Sequence, residues 1–387
     1  MRHIFLSFCL VALSTISFAQ SKLSKEATIS LLTCSPGEEL YSLFGHSAIR
    51  VNDPVAGFDL VFNYGTFDFD TPNFYLKFAN GNLNYMLTYG QYSRFLRSYN
   101  HEKRSVWEQS INFTSDEKQK FFVALMENAQ PENKFYRYDF LFDNCATRIR
   151  DIIEDNIDGE LVYNQDELEV YSYRDILHQY GENFPWISDG LDIILGMKTD
   201  DNANQYNQMF IPDYLMKHLT SASIVNDESR PLLGEPKVIL SFESTSKASI
   251  IKPAVLFWLL FVLSLALAYV EIKRKKALVL VNRIFLLATG IVGCLIFFLW
   301  FLSRHSVTGE NFNMLWAIPF NLFLAFVANW FYRSKPFRIY LIFLVVCASM
   351  PLAFGWLIPQ YLPVMIYPLC LLLISRYASW YYLLTRS

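Results

Sequence analysis

The C-terminal third of the chain is a series of apolar blocks. Long apolar stretches cover 253–270, 284–302, 314–331 and 339–358, and a more broken one covers 363–382. Each of the first four is long enough for a helix to cross a hydrocarbon core, which takes about 20 residues. The pattern predicts an all-α membrane domain of about five transmembrane helices over 253–387. Basic residues punctuate these blocks unevenly. Lys273-Arg274-Lys275-Lys276 follows the first block and Arg333-Ser334-Lys335-Pro336-Phe337-Arg338 the third, whereas Ser303 to Asn313 and Pro359 to Pro363 hold only Arg304 among lysines and arginines. By the positive-inside rule the two clusters and the C-terminus are cytoplasmic and residues 20–250 lie outside. The N-terminus predicts the same side. Met1-Arg2-His3, the apolar run Ile4 to Ile16 and then Ser17-Phe18-Ala19-Gln20 read as a secretory signal peptide over 1–19, cut after Ala19.

The region between signal and spans has mixed periodicity. Two-residue alternation and turn residues predict strands over Ala27 to Leu32, Gly45 to Val51, Asp59 to Tyr64, Asn84 to Thr88 and Val106 to Phe113, with a helical stretch at Gln91 to Ser98. Thr114-Ser115-Asp116-Glu117 reads as a capping box opening a helix whose apolar face is Phe121, Phe122 and Leu125. A second helix is expected from Asp143-Asn144, with the stripe Cys145, Ile149, Ile152, Ile153 and Ile157 turned inward. Tyr163 to Leu219 reads as further helix. The outer domain, 20–219, is therefore α+β rather than alternating βαβ. Ser, Glu and Pro dominate the stretch from Thr220 to Lys252, which predicts a linker over 220–252.

Charge and composition then narrow the chemistry. A net charge of −3, with basic clusters only between apolar blocks, argues against a nucleic-acid partner. His101, His178 and His218 have no metal-ligand spacing, and there is no H-E-x-x-H, C-x-x-C, G-x-S-x-G or Walker loop, so no metal or cofactor is expected. What remains is a cysteine at a helix start. There the positive end of the helix macrodipole lowers a thiol pKa, which makes Cys145 a candidate nucleophile. His46, directly after Gly45 at a strand start, is the candidate base, and Asn63 on the next strand the candidate orienting group, with Asp68 in reserve. A competing reading pairs Cys34 with Cys145 in a structural disulfide. In the loop after the second apolar block, Arg304 and His305, with Asn311 and Asn313, are candidates either for interfacial anchoring or for contact with a lipid head group.

Several segments resemble the Lnb family of bacterial lipoprotein N-acyltransferases: Leu31-Leu32-Thr33-Cys34-Ser35-Pro36-Gly37, Phe44-Gly45-His46-Ser47-Ala48-Ile49-Arg50-Val51, Asn63-Tyr64-Gly65-Thr66-Phe67-Asp68-Phe69 and Asp143-Asn144-Cys145-Ala146-Thr147-Arg148. The resemblance extends to Tyr173-Arg174-Asp175, the Trp186 region and His305 to Pro319. The order, histidine first and Asn-Cys later, is similar to the circularly permuted papain-like fold of the lecithin-retinol acyltransferase type. The resemblance implies transfer of an acyl chain from a membrane phospholipid, through a thioester on Cys145, to the N-terminal amine of a diacylglyceryl-cysteine lipoprotein. Aromatic residues between Phe62 and Tyr92, among them Phe67, Phe69, Phe74, Tyr75 and Tyr85, are candidates for an acyl pocket. Two other readings stand beside it: a membrane-anchored papain-like peptidoglycan or peptide hydrolase using the same pair, and a non-catalytic scaffold holding a Cys34–Cys145 disulfide.

Overall fold

A computed structural model describes residues 22–164, 169–243 and 251–386. The expected signal peptide lies outside the described residues. The chain forms two compact units, the first made of residues up to 78, 82–170 and 203–245, the second of 79–81, 171–202 and 246 onward.

The first unit is built on strands β1 (Thr28–Cys34), β2 (His46–Asp53), β3 (Phe58–Thr66), β4 (Asn84–Gln91), β5 (Val106–Ser110) and β6 (Phe135–Arg137). Beside them stand a small sheet of β7 (Glu160–Val162), β8 (Ser223–Val225) and β9 (Ser229–Pro231), and an edge strand β10 (Lys237–Leu240). The main sheet is antiparallel, in the order β10-β5-β1-β2-β3-β4-β6. Its helices are α1 (Phe74–Ala79), α2 (Tyr92–His101), α3 (Ser115–Asn128) and α4 (Cys145–Glu154). Helices α5 (Tyr173–Gly181) and α6 (Pro185–Ile194) belong to the second unit, and α7 (Pro212–Thr220) returns to the first.

The sheet is covered on both faces, which is why β1 is apolar on both sides of its alternation. Ile29 and Leu31 join Ile49, Val51, Phe62 and the inward faces of α3, α4 and α7 in the principal core. Leu32 and Cys34 turn the other way, toward Tyr92 and Tyr99 of α2. The expected capping box is present. Thr114 Oγ1 accepts from the Glu117 amide at 3.2 Å while Glu117 Oε2 accepts from the Thr114 amide at 2.6 Å. Arg50 ties β2 to its neighbours, holding Asp59 at 2.8 Å and Glu108 at 2.9 Å under the Tyr92 ring.

The segment expected as a linker is mostly folded. Its residues 220–243 supply β8, β9 and β10, and buried Glu117 of α3 holds Arg230. Backbone pairing and that ion pair override a composition that reads as loop, and only 244–250 of the expected linker lie outside the described residues.

The second unit contains α5, α6, α8 (Pro253–Arg274), α9 (Val279–Phe301), α10 (Phe320–Phe331), α11 (Lys335–Phe354) and α12 (Ile366–Arg386). Among the described residues, three segments, Pro253–Arg274, Val279–Phe301 and Lys335–Leu357, are long and apolar enough to cross a membrane. The third apolar block is divided into a short turn at Phe312–Leu315 and the 12-residue α10, with Pro319 at its N-cap. This division lets α9 approach closely: a Cβ on Gly290 would collide with the Leu322 backbone.

Two polar networks hold this unit together. Buried Arg174 of α5 pairs with Asp192 at 2.6 Å and Asp200 at 2.8 Å. Asn311 and Gln360 donate to the carbonyls of Ile193 and Leu195 at 2.8 and 3.0 Å, so residues 171–202 fold with the membrane helices rather than with the sheet. Among the helices themselves, fully buried Arg376 of α12 binds Glu271 of α8 at 2.7 Å and Asn282 of α9 at 2.7 Å. Removing one partner of a buried pair strands the other charge. Glu271→Ala should therefore destabilise the protein by about 3–5 kcal/mol. Thermal unfolding in detergent checks this, and joint replacement of Glu271 and Arg376 by methionine should recover much of the loss. A Glu271→Ala protein as stable as wild type would show that the pair carries no weight.

Candidate active site

Cys145 owes its place to the residue before it. Asn144 is extended (φ −128°, ψ −170°) and its Oδ1 accepts from the amides of Ala146 and Thr147 at 2.8 and 3.0 Å. Thr147 Oγ1 reciprocates by accepting from the Asn144 amide at 2.8 Å. The Asn144 amide nitrogen Nδ2 donates at 2.9 Å to the carbonyls of both Phe140 and Phe210. This cap stops the helix one residue before the cysteine, so Cys145 occupies the first helical position with its sulfur among backbone N–H groups. The amides of Ser47, Ala146 and Cys145 itself all favour the thiolate, yet burial outweighs them and pushes the thiol above its ordinary pKa. The expected dipole-lowered thiol is thus not what the resting site holds.

His46 opens β2 opposite Cys34. The preceding Gly45 has φ +80°, and a Cβ there would stand 2.8 Å from the Cys34 carbonyl oxygen, so only glycine can turn the chain at this point. His46 Nε2 lies 3.2 Å from Asn63 Oδ1 on β3. A carbonyl oxygen only accepts, so Nε2 carries the proton and Nδ1 keeps a free lone pair. Burial drives the imidazole pKa down to about 4, against the opposing effect of the Asn63 bond. Asp68 does not compete for this role: it is exposed and caps the Asp70 amide at 2.9 Å.

The Ser47 amide is close enough to Sγ to favour the thiolate, which sets the sulfur near the peptide that follows His46. Among the described residues no hydrogen bond joins Sγ to the imidazole, whose bond runs to Asn63. Such contacts in unliganded sites commonly tighten only around substrate.

Residues that sequence reasoning missed complete the surroundings. Gly65, at a bulge in β3 with φ +82°, faces the sulfur: a Cβ there would lie 3.5 Å from Cys145 Cβ and 3.9 Å from both Tyr136 Oη and Tyr138 Cε2. Tyr136 and Tyr138 flank Arg137 in the run Phe135-Tyr136-Arg137-Tyr138, whose alternation before the Asp-Asn-Cys segment was the available signal. Ser47 Oγ is fully buried and has no hydrogen-bond partner. From Tyr138 a chain of rings runs outward: Tyr138 stacks on Tyr85 at 4.3 Å, Tyr85 meets Phe67 at 5.3 Å, and Phe67 meets Phe69 at 4.9 Å. Phe69 is 62% exposed, so the chain ends at the surface.

The other candidates separate from this group. Cys34 and Cys145 are both free thiols. Cys34 is packed with Tyr99 and Val106, on the α2 side of the sheet, and burial pushes its thiol up to about 12. The disulfide reading is corrected on that ground: strand alternation turns Cys34 away from the core against which Cys145 packs. Arg304 and His305 lie in the second unit, where the Arg304 amide donates to Asn80 O at 3.0 Å; Arg304 is exposed and His305 half-buried. Asn311 and Asn313 are buried and hydrogen-bonded to the α6 carbonyls, a structural role. His178 binds Asp192 and His218 binds Gln208, and no metal-holding cluster is found among the described residues.

Fold and site together define a membrane protein whose N-terminal sheet domain holds a half-buried cysteine at a capped helix start, near a histidine that desolvation keeps neutral. Residues 17–179 match the Lnb N-terminal periplasmic domain and residues 245–387 match the Lnb transmembrane domain. The chain belongs to the Lnb family, and is a membrane protein with an N-terminal periplasmic domain. No curated protein and no solved structure matches it.

The electrostatics predict a distinctive reactivity. With the thiol raised and the imidazole neutral down to about 4, the resting pair carries no charge at neutral pH. Alkylation of Cys145 by iodoacetamide should keep rising above pH 9, the ordinary thiol value, with no inflection between pH 6 and 7. Residue-level mass spectrometry should find Cys34 unmodified until the protein is unfolded, and then fully alkylated without reductant. An inflection near 6.5, the ordinary histidine value, would mean a thiolate–imidazolium pair instead.

Proposed function

We propose that this chain is a lipoprotein N-acyltransferase: it moves an acyl chain from a membrane phospholipid, through a thioester on Cys145, to the N-terminal amine of a diacylglyceryl-cysteine lipoprotein. The observation that carries the reading is Cys145 at the Asn144-capped start of α4, against the His46–Ser47 peptide, with His46 held by Asn63, in a chain of the Lnb family. The first unit is read as a circularly permuted papain-like domain. The second is read as five spans, α8 to α12, in the inner membrane with the C-terminus cytoplasmic, and Arg304 and His305 as lipid-contacting residues at its outer surface.

In the first half-reaction His46 Nδ1 takes the Cys145 proton as Sγ attacks the phospholipid ester carbonyl. The tetrahedral intermediate collapses, the C–O bond breaks, and the leaving lysophospholipid alkoxide takes the proton from His46. In the second, the lipoprotein amine attacks the thioester, its proton passes through His46 to the departing sulfur, and an amide forms. A neutral starting pair suits a buried site, because no charge is desolvated until substrate arrives. The ring chain from Tyr138 to Phe69 gives an apolar wall along which an acyl chain can lie and from which water is excluded.

The test is mass spectrometry of a reporter lipoprotein's N-terminal peptide, from cells depleted of their own N-acyltransferase and supplied with this chain. Wild type should add one acyl group to the amine. Cys145→Ala should add none, and His46→Ala should slow transfer by about 10²–10⁴-fold, the usual worth of general acid–base catalysis. If wild type reaches the membrane and adds nothing, the reading fails and a hydrolase using the same pair takes its place.

A further inference from the structure

The hollow beside Cys145 is bounded by a hydroxyl with no structural employment. Tyr136 projects inward from β6, is 9% exposed, and belongs to the principal core. Its Oη is buried and has no hydrogen-bond partner; the Gly65 amide approaches the oxygen without reaching hydrogen-bond geometry. An unpartnered buried hydroxyl costs about 1–3 kcal/mol, and phenylalanine would fill the same space without that cost. The oxygen is also held in place. Arg148 Cζ stands 3.7 Å above the Tyr136 ring, and its guanidinium is clamped by Asp143 at 2.6 and 2.8 Å. Asp143 and Arg148 bracket Cys145 in sequence, so the phenol is registered to the helix start that carries the nucleophile. Gly65 supplies the opening: because it has no side chain, the point 3.5 Å from Cys145 Cβ and 3.9 Å from Tyr136 Oη is free.

We propose that the Tyr136 hydroxyl is a catalytic hydrogen-bond donor to the acyl carbonyl oxygen, stabilising the oxyanion formed when Cys145 is acylated and again when its thioester is attacked. Cys145 Sγ bonds to the carbonyl carbon, the C=O π pair moves onto oxygen, and that oxygen accepts from Tyr136 Oη–H, which keeps its proton throughout. Collapse restores the C=O, expels the leaving alkoxide, and frees the hydroxyl for the next step. This geometry requires glycine at position 65, because a side chain there would occupy the place of the oxyanion. The inference rests on Cys145 as the acyl-carrying nucleophile, but not on the identity of donor or acceptor lipid.

The experiment uses the full chain in detergent with p-nitrophenyl butyrate as acyl donor, following the Cys145 adduct by intact mass, and iodoacetamide as a second probe. Alkylation by iodoacetamide passes through no oxyanion, whereas acylation does. Tyr136→Phe keeps the ring and its stack with Arg148 and removes an unpartnered buried hydroxyl, so the melting temperature should rise or hold and should not fall. Acylation of Cys145 should slow by about 10²–10³-fold, the usual loss for one oxyanion donor, while alkylation changes by less than about twofold. Acylation at the wild-type rate in Tyr136→Phe would overturn the proposal and leave the acyltransferase reading intact. Equal slowing of both reactions would also overturn it, because Tyr136 would then act on the thiol. Failure of the wild-type Cys145 to take the acyl group at all would overturn the nucleophile assignment itself, and this proposal with it.

Discussion

The Asn144 cap is the interaction on which the site depends. One side chain satisfies two helix amides through Oδ1 and two loop carbonyls through Nδ2, so the start of α4, the Phe140 turn and the Phe210 loop are fixed by a single residue. A helix end buried without such partners would leave several N–H groups unsatisfied, at a cost the fold could not carry at the centre of its core. The cap also excludes alternatives to Cys145 at the first position, because a shift of one residue would rotate Ile149, Ile152 and Ile153 out of the core they share with β2 and β3. Packing thus fixes the rotation of α4, and hydrogen bonding fixes its starting point.

Two opposing effects meet at the sulfur. Helix-start amides stabilise a thiolate, and desolvation destabilises it; here desolvation is the larger. The same burial lowers His46, so both partners are driven toward their neutral forms. In the folded protein His46 resists protonation that the unfolded chain would accept. Its contribution to stability is therefore complete above the unfolded value near 6.5 and is lost as pH falls toward about 4. A neutral pair is compatible with the proposed catalysis provided charge appears only as bonds change, and a thiol held protonated is slow to oxidise.

Much of this was legible in the sequence. Each of the five expected strands corresponds to an observed one, displaced by a residue or a few at its ends, because two-residue alternation is set by the sheet faces that bury it. The capping box at Thr114 and the helix start at Asn144 were readable because capping is local chemistry, and Asn63 was favoured beside His46 from its place on the next strand. What was not legible depended on distant partners. Residues 220–243 have a loop-like composition, yet β10 pairs with β5 more than a hundred residues earlier, and Arg230 is drawn in by Glu117. Residues 171–202 read as part of the outer domain, but Arg174 and the α6 carbonyls find their partners in the second unit. The third apolar block read as one span, and only Pro319 hinted at its division.

The thiol is the instructive case of a rule correctly stated and outweighed. A helix N-terminus does favour the thiolate, and the sequence locates that terminus, but the size of the opposing desolvation depends on what covers the sulfur. The cover comes from elements remote in sequence: the Ser47 region of β2, Gly65 of β3, and Tyr136 and Tyr138 at and after β6. None of these is visible from the Asp-Asn-Cys segment alone. The same cover brings apolar ring surface and a hydroxyl without a partner to the neighbourhood of the sulfur, which is where the proposed reaction would place a charged carbonyl oxygen. Under the proposed reaction, a thiol that is quiet at rest and faces that hydroxyl would react selectively with a group whose oxygen becomes negative, such as an ester laid along an apolar wall.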